Sequence, residues 1–205
     1  MPEETSMKLY DMELSGNCYK VRLFLALIGR KYDTVPVNLK AGEQKRPEYL
    51  AVNPLGKVPA LEDDGNVIRD SQAILVYLGR KYGGPKWWPE DAAGQGEIVQ
   101  WLSFAANEMW HGCAIARAIP KFNRPGDHAA AQTQARAALA ILEGRLSKND
   151  WLALGRPTIA DIACYPYAAL VWEGGVPIDA YPAVRAWFKR IAALPGYIGM
   201  PGIGG

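Results

Sequence analysis

Few residues of this 205-residue chain have the types and spacing that chemistry asks for. Its three cysteines, Cys18, Cys113 and Cys164, stand far apart with no C-x-x-C pair, which speaks for free thiols in a reducing compartment. Its two histidines, His111 and His128, are too few to build a metal site on, and no metal is expected. The densest group is Ser15-Gly16-Asn17-Cys18, a hydroxyl, an amide and a thiol just ahead of an apolar run. A hydroxyl or amide in that place caps a helix, and a thiol at a helix N-terminus has its pKa lowered by the unpaired amides. Asp70-Ser71 and Thr158-Ile159-Ala160-Asp161 repeat the capping pattern, the second with the reciprocal acceptor that makes a capping box.

The elements that must hold these groups divide the chain in two. Met7–Tyr10 reads as a strand, residues 18–29 as an amphipathic helix closed by Gly29, and Tyr32–Val37 as a second strand that Pro36 confines to an edge. A weak helix over Arg46–Val52 is followed by Lys57–Leu61 and Asn66–Arg69, two strands joined by the turn signal Glu62-Asp63-Asp64-Gly65. A helix capped at Asp70-Ser71 closes the first half. Gly83 to Pro89 is rich in Gly and Pro and reads as a linker whose Trp87 and Trp88 pack at a junction. Beyond it the pattern is helical: one long helix over Gly96–Ala118, then His128–Leu146, a helix from Thr158, and Tyr181–Leu194. The glycine-rich end, Gly199–Gly205, reads as frayed.

Composition sets bounds. Hydrophobic residues make up 49% and charged residues 21%, enough for a sizeable core. A net charge of +2, evenly divided between the halves, gives no electrostatic reason to expect nucleic acid or an anionic membrane as partner. The longest apolar runs, such as Leu23–Ile28 and Ala73–Leu78, are far shorter than a membrane span of about 20 residues. The polar, acidic start is no secretory signal, so a cytoplasmic protein is expected.

A strand–helix–strand crossover followed by a hairpin is how thioredoxin-like domains are built. Three motifs make the likeness specific. Asn53-Pro54-Leu55-Gly56-Lys57-Val58-Pro59-Ala60-Leu61 resembles the cis-proline segment of the cytosolic glutathione transferases, bacterial and theta-like (serine-type) members included. Asp70-Ser71-Gln72-Ala73-Ile74 is similar to that family's (Glu/Asp)-Ser-x-Ala-Ile signature, and Arg156-Pro157-Thr158-Ile159-Ala160-Asp161 to its buried capping box. The likeness runs from about Lys8 to Leu194. It implies an α/β plus all-α fold: a thioredoxin-like glutathione-binding domain over 1–82, a linker over 83–91, and an all-helical domain over 92–205 that shapes the pocket of an electrophile.

The resemblance also implies roles. Such an enzyme stabilises the glutathione thiolate, and each pKa unit below the free-thiol value of about 8.5 needs about 1.36 kcal/mol. Ser15 falls at the catalytic serine of the theta-like classes, where a hydroxyl donor and a helix N-terminus act together. Asn17 satisfies the Ser/Thr-x-Asn spacing by which some bacterial classes use the amide, and Cys18 would serve a mixed-disulfide chemistry, so these three remain alternatives. Val58, ahead of a cis Pro59, would pair its backbone with the cysteinyl unit. Asp70 would take the γ-glutamyl ammonium and Ser71 the carboxylate, while Lys57 and Gln44 are candidates for the glycyl carboxylate. Met12, Trp110 and Arg117 are candidates for the electrophile pocket. Asp161 is expected to cap and no more. Glutathione is then the co-substrate, a small hydrophobic electrophile the acceptor, and a homodimer the assembly. The rivals are a glutathione-dependent disulfide oxidoreductase and a non-catalytic binding relative.

Overall fold

The structure is a computed structural model that describes residues 7–203; the polar start and Gly204-Gly205 lie outside the described residues. Its first half is a four-stranded sheet made of β1 (Lys8–Asp11), β2 (Asp33–Pro36), β3 (Ala60–Asp63) and β4 (Asn66–Arg69), in the order β2-β1-β3-β4. β1 and β2 are parallel, joined by the crossover helix α1 (Gly16–Leu27), whereas β3 runs antiparallel to both β1 and β4. The short α2 (Pro47–Val52) precedes β3, and α3 (Ser71–Leu78) follows β4. The third strand begins at Ala60, three residues later than its apolar pattern suggested, so Lys57 and Val58 lie ahead of the ladder. The Val58–Pro59 bond is cis, as the motif implied.

The second half contains α4 (Ala92–Ala106), α5 (Ile115–Phe122), α6 (His128–Leu146), α7 (Ile159–Ala169) and α8 (Pro182–Ala192). α7 is the hub, packing against α1, α3 and α4, and every residue from Ile159 to Ala168 is buried. The expected single helix over 96–118 is corrected here: α4 starts earlier, capped by Asp91, and ends at Ala106, and a wide helical turn over Trp110–Ala114 leads into α5. Gly112 shows how closely that turn packs. A Cβ at Gly112 would lie 2.6 Å from the Ala135 backbone nitrogen, so the turn presses directly on the alanine face of α6.

The linker tryptophans are buried, and the Trp87 ring meets Phe24 edge-on at 5.1 Å between centroids. Arg156 donates from Nη2 to the Pro85 carbonyl at 3.0 Å and from Nη1 to the Lys86 carbonyl, which ties the linker to the loop before α7. The tail is not frayed as far as it is described. Met200 and Ile203 are buried and bridge each other, the Tyr19 hydroxyl donates to the Ile198 carbonyl at 2.6 Å, and Trp172 Nε1 donates to the Gly202 carbonyl at 3.0 Å.

Candidate active site

Two clefts open where the sheet's C-terminal edge meets α4 and α5, and they share Asn17, Lys57, Val58 and Trp110. The first runs from Asp70, Ser71 and Gln72 past Pro59 to that shared group. The second continues to Ser15, Met12, Gln44, Arg117 and Tyr167. Every candidate binding or catalytic residue singled out in the sequence lines one cleft or both, Cys18 excepted.

Ser15 is the N-cap of α1, and its Oγ accepts a 3.2 Å hydrogen bond from the Cys18 backbone N–H. That bond occupies a lone pair and leaves the hydroxyl hydrogen to donate elsewhere. The loop before it is clamped from both domains. Arg22 pairs with Asp11 and donates from Nη2 to the Glu13 carbonyl at 2.7 Å, while Arg117 on α5 donates from Nη1 to the Leu14 carbonyl at 2.9 Å. Asn17 is the second residue of the helix. Its Oδ1 accepts from Ser71 Oγ at 3.3 Å, so its amide nitrogen is the end left to donate.

Asp70 holds φ +73°, a left-handed conformation rare for a residue with a side chain. That twist aims its Oδ1 at the N-terminus of α3, where it accepts from the backbone N–H groups of Gln72 at 2.9 Å and Ala73 at 3.1 Å. Both bonds use the same oxygen, Oδ1, on an exposed side chain that lines the first cleft. The Ser71 hydrogen is shared between Asn17 Oδ1 and Gln72 Oε1. Opposite, the Lys57 carbonyl is gripped by the Tyr49 hydroxyl and Asn53 Nδ2, both at 2.6 Å, which fixes the backbone that leads into Val58. Gln44 lines only the second cleft, and its Oε1 is buried without a partner.

The structure corrects the reading of Cys18 as a nucleophile. Its side chain is fully buried, and burial, helped by the charge of Asp11, pushes the thiol up to about 12. Cys113 and Cys164 are buried as well, and burial pushes both thiols up. Among the described residues no three His, Cys, Asp or Glu side chains come together as a metal site, and no helix is long and apolar enough to cross a membrane. Asp161 is buried and accepts from the backbone N–H groups of Leu152 and Thr158 and from Trp187 Nε1, a capping box closed on all sides.

One residue of the site and a second that packs on it went unnoticed in the sequence. Tyr167 lines the second cleft from α7, and a Cβ on Gly16 would come within 2.7 Å of its ring, so only glycine allows this approach at the head of α1. Lys20 is buried on α1, 5.3 Å from the centroid of the same ring, and burial lowers its ammonium to about 8 against the charges of Cys164 and Asp70. Neither carries a local sequence signal, because each owes its place to contacts between α1 and α7.

Comparison with known proteins agrees with this geometry. Residues 9–86 match the family model of the glutathione S-transferase N-terminal domain, and residues 107–195 that of the C-terminal domain. Glutathione S-transferase 1 of Triticum aestivum is 30% identical across 92% of this chain and 90% of the relative. The disulfide-bond oxidoreductase YfcG of Escherichia coli is 30% identical across 87% of each chain. Among solved structures, a possible glutathione S-transferase from Rhodopseudomonas palustris superposes with a TM-score of 0.89 at 34% identity, covering 96% of this chain and 98% of that one. With both halves matched, and a cis-proline loop facing a capped α3 across one groove, the chain belongs to the cytosolic glutathione transferase family.

Proposed function

We propose that this glutathione transferase lays its tripeptide across both clefts and presents the sulfur at the shared group of Asn17, Val58 and Trp110. The γ-glutamyl ammonium meets Asp70 Oδ2, and its carboxylate displaces the neighbours that now share the Ser71 hydrogen. The cysteinyl unit pairs with the Val58 backbone, which lies outside the sheet's own ladder. The glycyl carboxylate meets the Lys57 ammonium. Gln44 presents its acceptor oxygen to the glycyl N–H, or its nitrogen to the carboxylate if the amide turns over.

Ser15 donates its free hydrogen to the thiolate, with Asn17 as a second donor and the N-terminus of α1 behind both. The thiolate then attacks an electrophilic carbon of an acceptor that rests on Met12, Trp110 and Arg117; the carbon's bond to its leaving group breaks, the leaving group departs with the bonding pair, and the thiol proton passes to solvent. Rate acceleration comes from holding the thiolate and the carbon together. The observation that carries this reading is the single-sided use of the Ser15 hydroxyl: the cap takes its lone pair and leaves its proton. Assembly as a two-fold homodimer in the cytoplasm belongs to the same reading, and light scattering tests the dimer.

The ultraviolet thiolate band of bound glutathione at pH 7 tests the chemistry. It weakens in Ser15→Ala if Ser15 is the donor; an unchanged band moves the role to Asn17, and Asn17→Ala then weakens it. Because YfcG is named an oxidoreductase, disulfide reduction is the second reading, and Asn17, not the buried Cys18, would have to serve it. Reduction of a glutathione mixed disulfide faster than any conjugation would favour that reading.

A further inference from the structure

The second cleft carries a charge pattern that a purely hydrophobic acceptor does not explain. Its lining includes Lys57, Arg117 and Arg124, and it continues into an outer cleft that shares Met12, Leu39, Phe122 and Arg124 and adds Lys40 and Lys121. Among the described residues no Asp or Glu lines either cleft, although the chain carries 21 acidic residues against 23 Lys and Arg. Glu173 lies behind the wall. It pairs with Arg117 through Oε2 and with Lys121 through Oε1 at 2.7 Å; burial alone would raise its carboxyl, but these two partners hold it below the usual range. The trio therefore keeps one uncompensated positive charge.

Arg117 is the decisive group. It is 1% exposed, its Nε is taken by Glu173 and its Nη1 by the Leu14 carbonyl, yet its Nη2 is buried with no partner. A buried N–H of a charged group left unpaired is costly, and an anionic oxygen arriving from the cleft would relieve it. Gly174 keeps the group in place, since a Cβ there would sit 2.7 Å from the Arg117 backbone nitrogen. The apolar part of an acceptor has its own surface on the same cleft, in Trp110, Phe122 and Leu39.

We propose that the acceptor of this enzyme is an electrophile carrying a carboxylate, whose reactive carbon faces Ser15 and Asn17 and whose carboxylate is bound by Arg117, with Arg124 at the rim. The proposal rests on the transferase reading above. It assigns Arg117 and Arg124 the choice of substrate and leaves the thiolate to Ser15 and Asn17.

A matched pair of probes tests it: 4-chloro-3,5-dinitrobenzoate and its uncharged methyl ester. In both, the glutathione sulfur forms a bond to the ring carbon, the C–Cl bond breaks, chloride leaves with the bonding pair, and the thiol proton goes to water. Each kcat/KM at saturating glutathione is divided by the probe's own uncatalysed rate. The expected result is an acid-to-ester ratio of about ten in favour of the acid, with a KM for the acid that rises with salt. Arg117→Met lowers that ratio about tenfold, and the exposed Arg124→Gln about threefold. If Arg117→Met does not fold, the wild-type ratio, its salt dependence and Arg124→Gln decide.

Ester turnover with a ratio of one or below overturns the proposal and leaves the transferase reading intact. A loss in Arg117→Met that appears as a raised glutathione KM at a constant ratio also overturns it, because the arginine would then serve the glycyl carboxylate. No turnover of either probe brings down the transferase reading and the proposal together.

Discussion

Helix N-caps do two different jobs in this molecule. At the heads of α1 and α3, Ser15 and Asp70 each satisfy helix amides with one part of the side chain and keep another part free: a hydroxyl hydrogen in Ser15, the second carboxylate oxygen in Asp70. At the head of α7, Thr158 and Asp161 use their polar groups on each other, on Leu152 and on Trp187, with no exposure to water. The local motif is the same. What separates a binding site from a structural anchor is whether the hydrogen-bonding capacity is used up inside the chain. α1 and α3 point at a cleft, and α7 points into packed side chains.

Breaking the saturated cap has the largest effect. Asp161→Ala leaves the N–H groups of Leu152, Thr158 and Trp187 buried without acceptors, and the stability read from urea unfolding falls by about 4 kcal/mol. Breaking the open cap separates function from stability. Ser15→Ala lowers kcat/KM for conjugation about a hundredfold while unfolding free energy drops by only about 1 kcal/mol, the worth of an ordinary N-cap. A stability loss in Ser15→Ala as large as that in Asp161→Ala would erase the distinction. Asp70→Asn is milder again. Asparagine caps as well as aspartate, so stability stays within about 1 kcal/mol, but the charge for the ammonium is gone and the glutathione Kd read by calorimetry rises about tenfold.

The caps were legible in the sequence because capping is local chemistry, written in residues three apart. The order of strands and helices was legible for the same reason, through Gly29, the Asp64-Gly65 turn and the apolar spacing of α1, α3 and α6. The break between α4 and α5 was not, because apolar residues recur on the inward side through Met109, Cys113 and Ala116 whether the turn is narrow or wide. The unpaired donor of Arg117 was equally hidden. It depends on Glu173, 56 residues away, and on Leu14, 103 residues away, and no local pattern links the three. The tail misled for the opposite reason: its glycines suggest looseness, but its backbone carbonyls are acceptors for Tyr19 and Trp172, residues that carry no mark of that task.

The effect that concerns protons sharpens the comparison most. Burial raises the Asp161 carboxyl from 3.8 to about 6, even though the N–H groups of Leu152 and Thr158 and the indole of Trp187 favour the anion. Between those two values the folded chain holds a proton that the unfolded chain has released, so stability falls as pH rises through that window and is level above it. Asp161→Asn removes the titration and keeps an acceptor for Leu152 and Trp187. Carboxylates such as Asp63 and Glu173 titrate in both proteins and cancel in the difference. The unfolding free energy of wild type minus that of Asp161→Asn therefore declines between about pH 4 and pH 6. The corresponding difference for Ser15→Ala stays flat there, because a hydroxyl has no proton to exchange in that range. A flat difference for Asp161→Asn would mean that water reaches the carboxylate, and the anchor of α7 would then be as open as the caps that face the cleft.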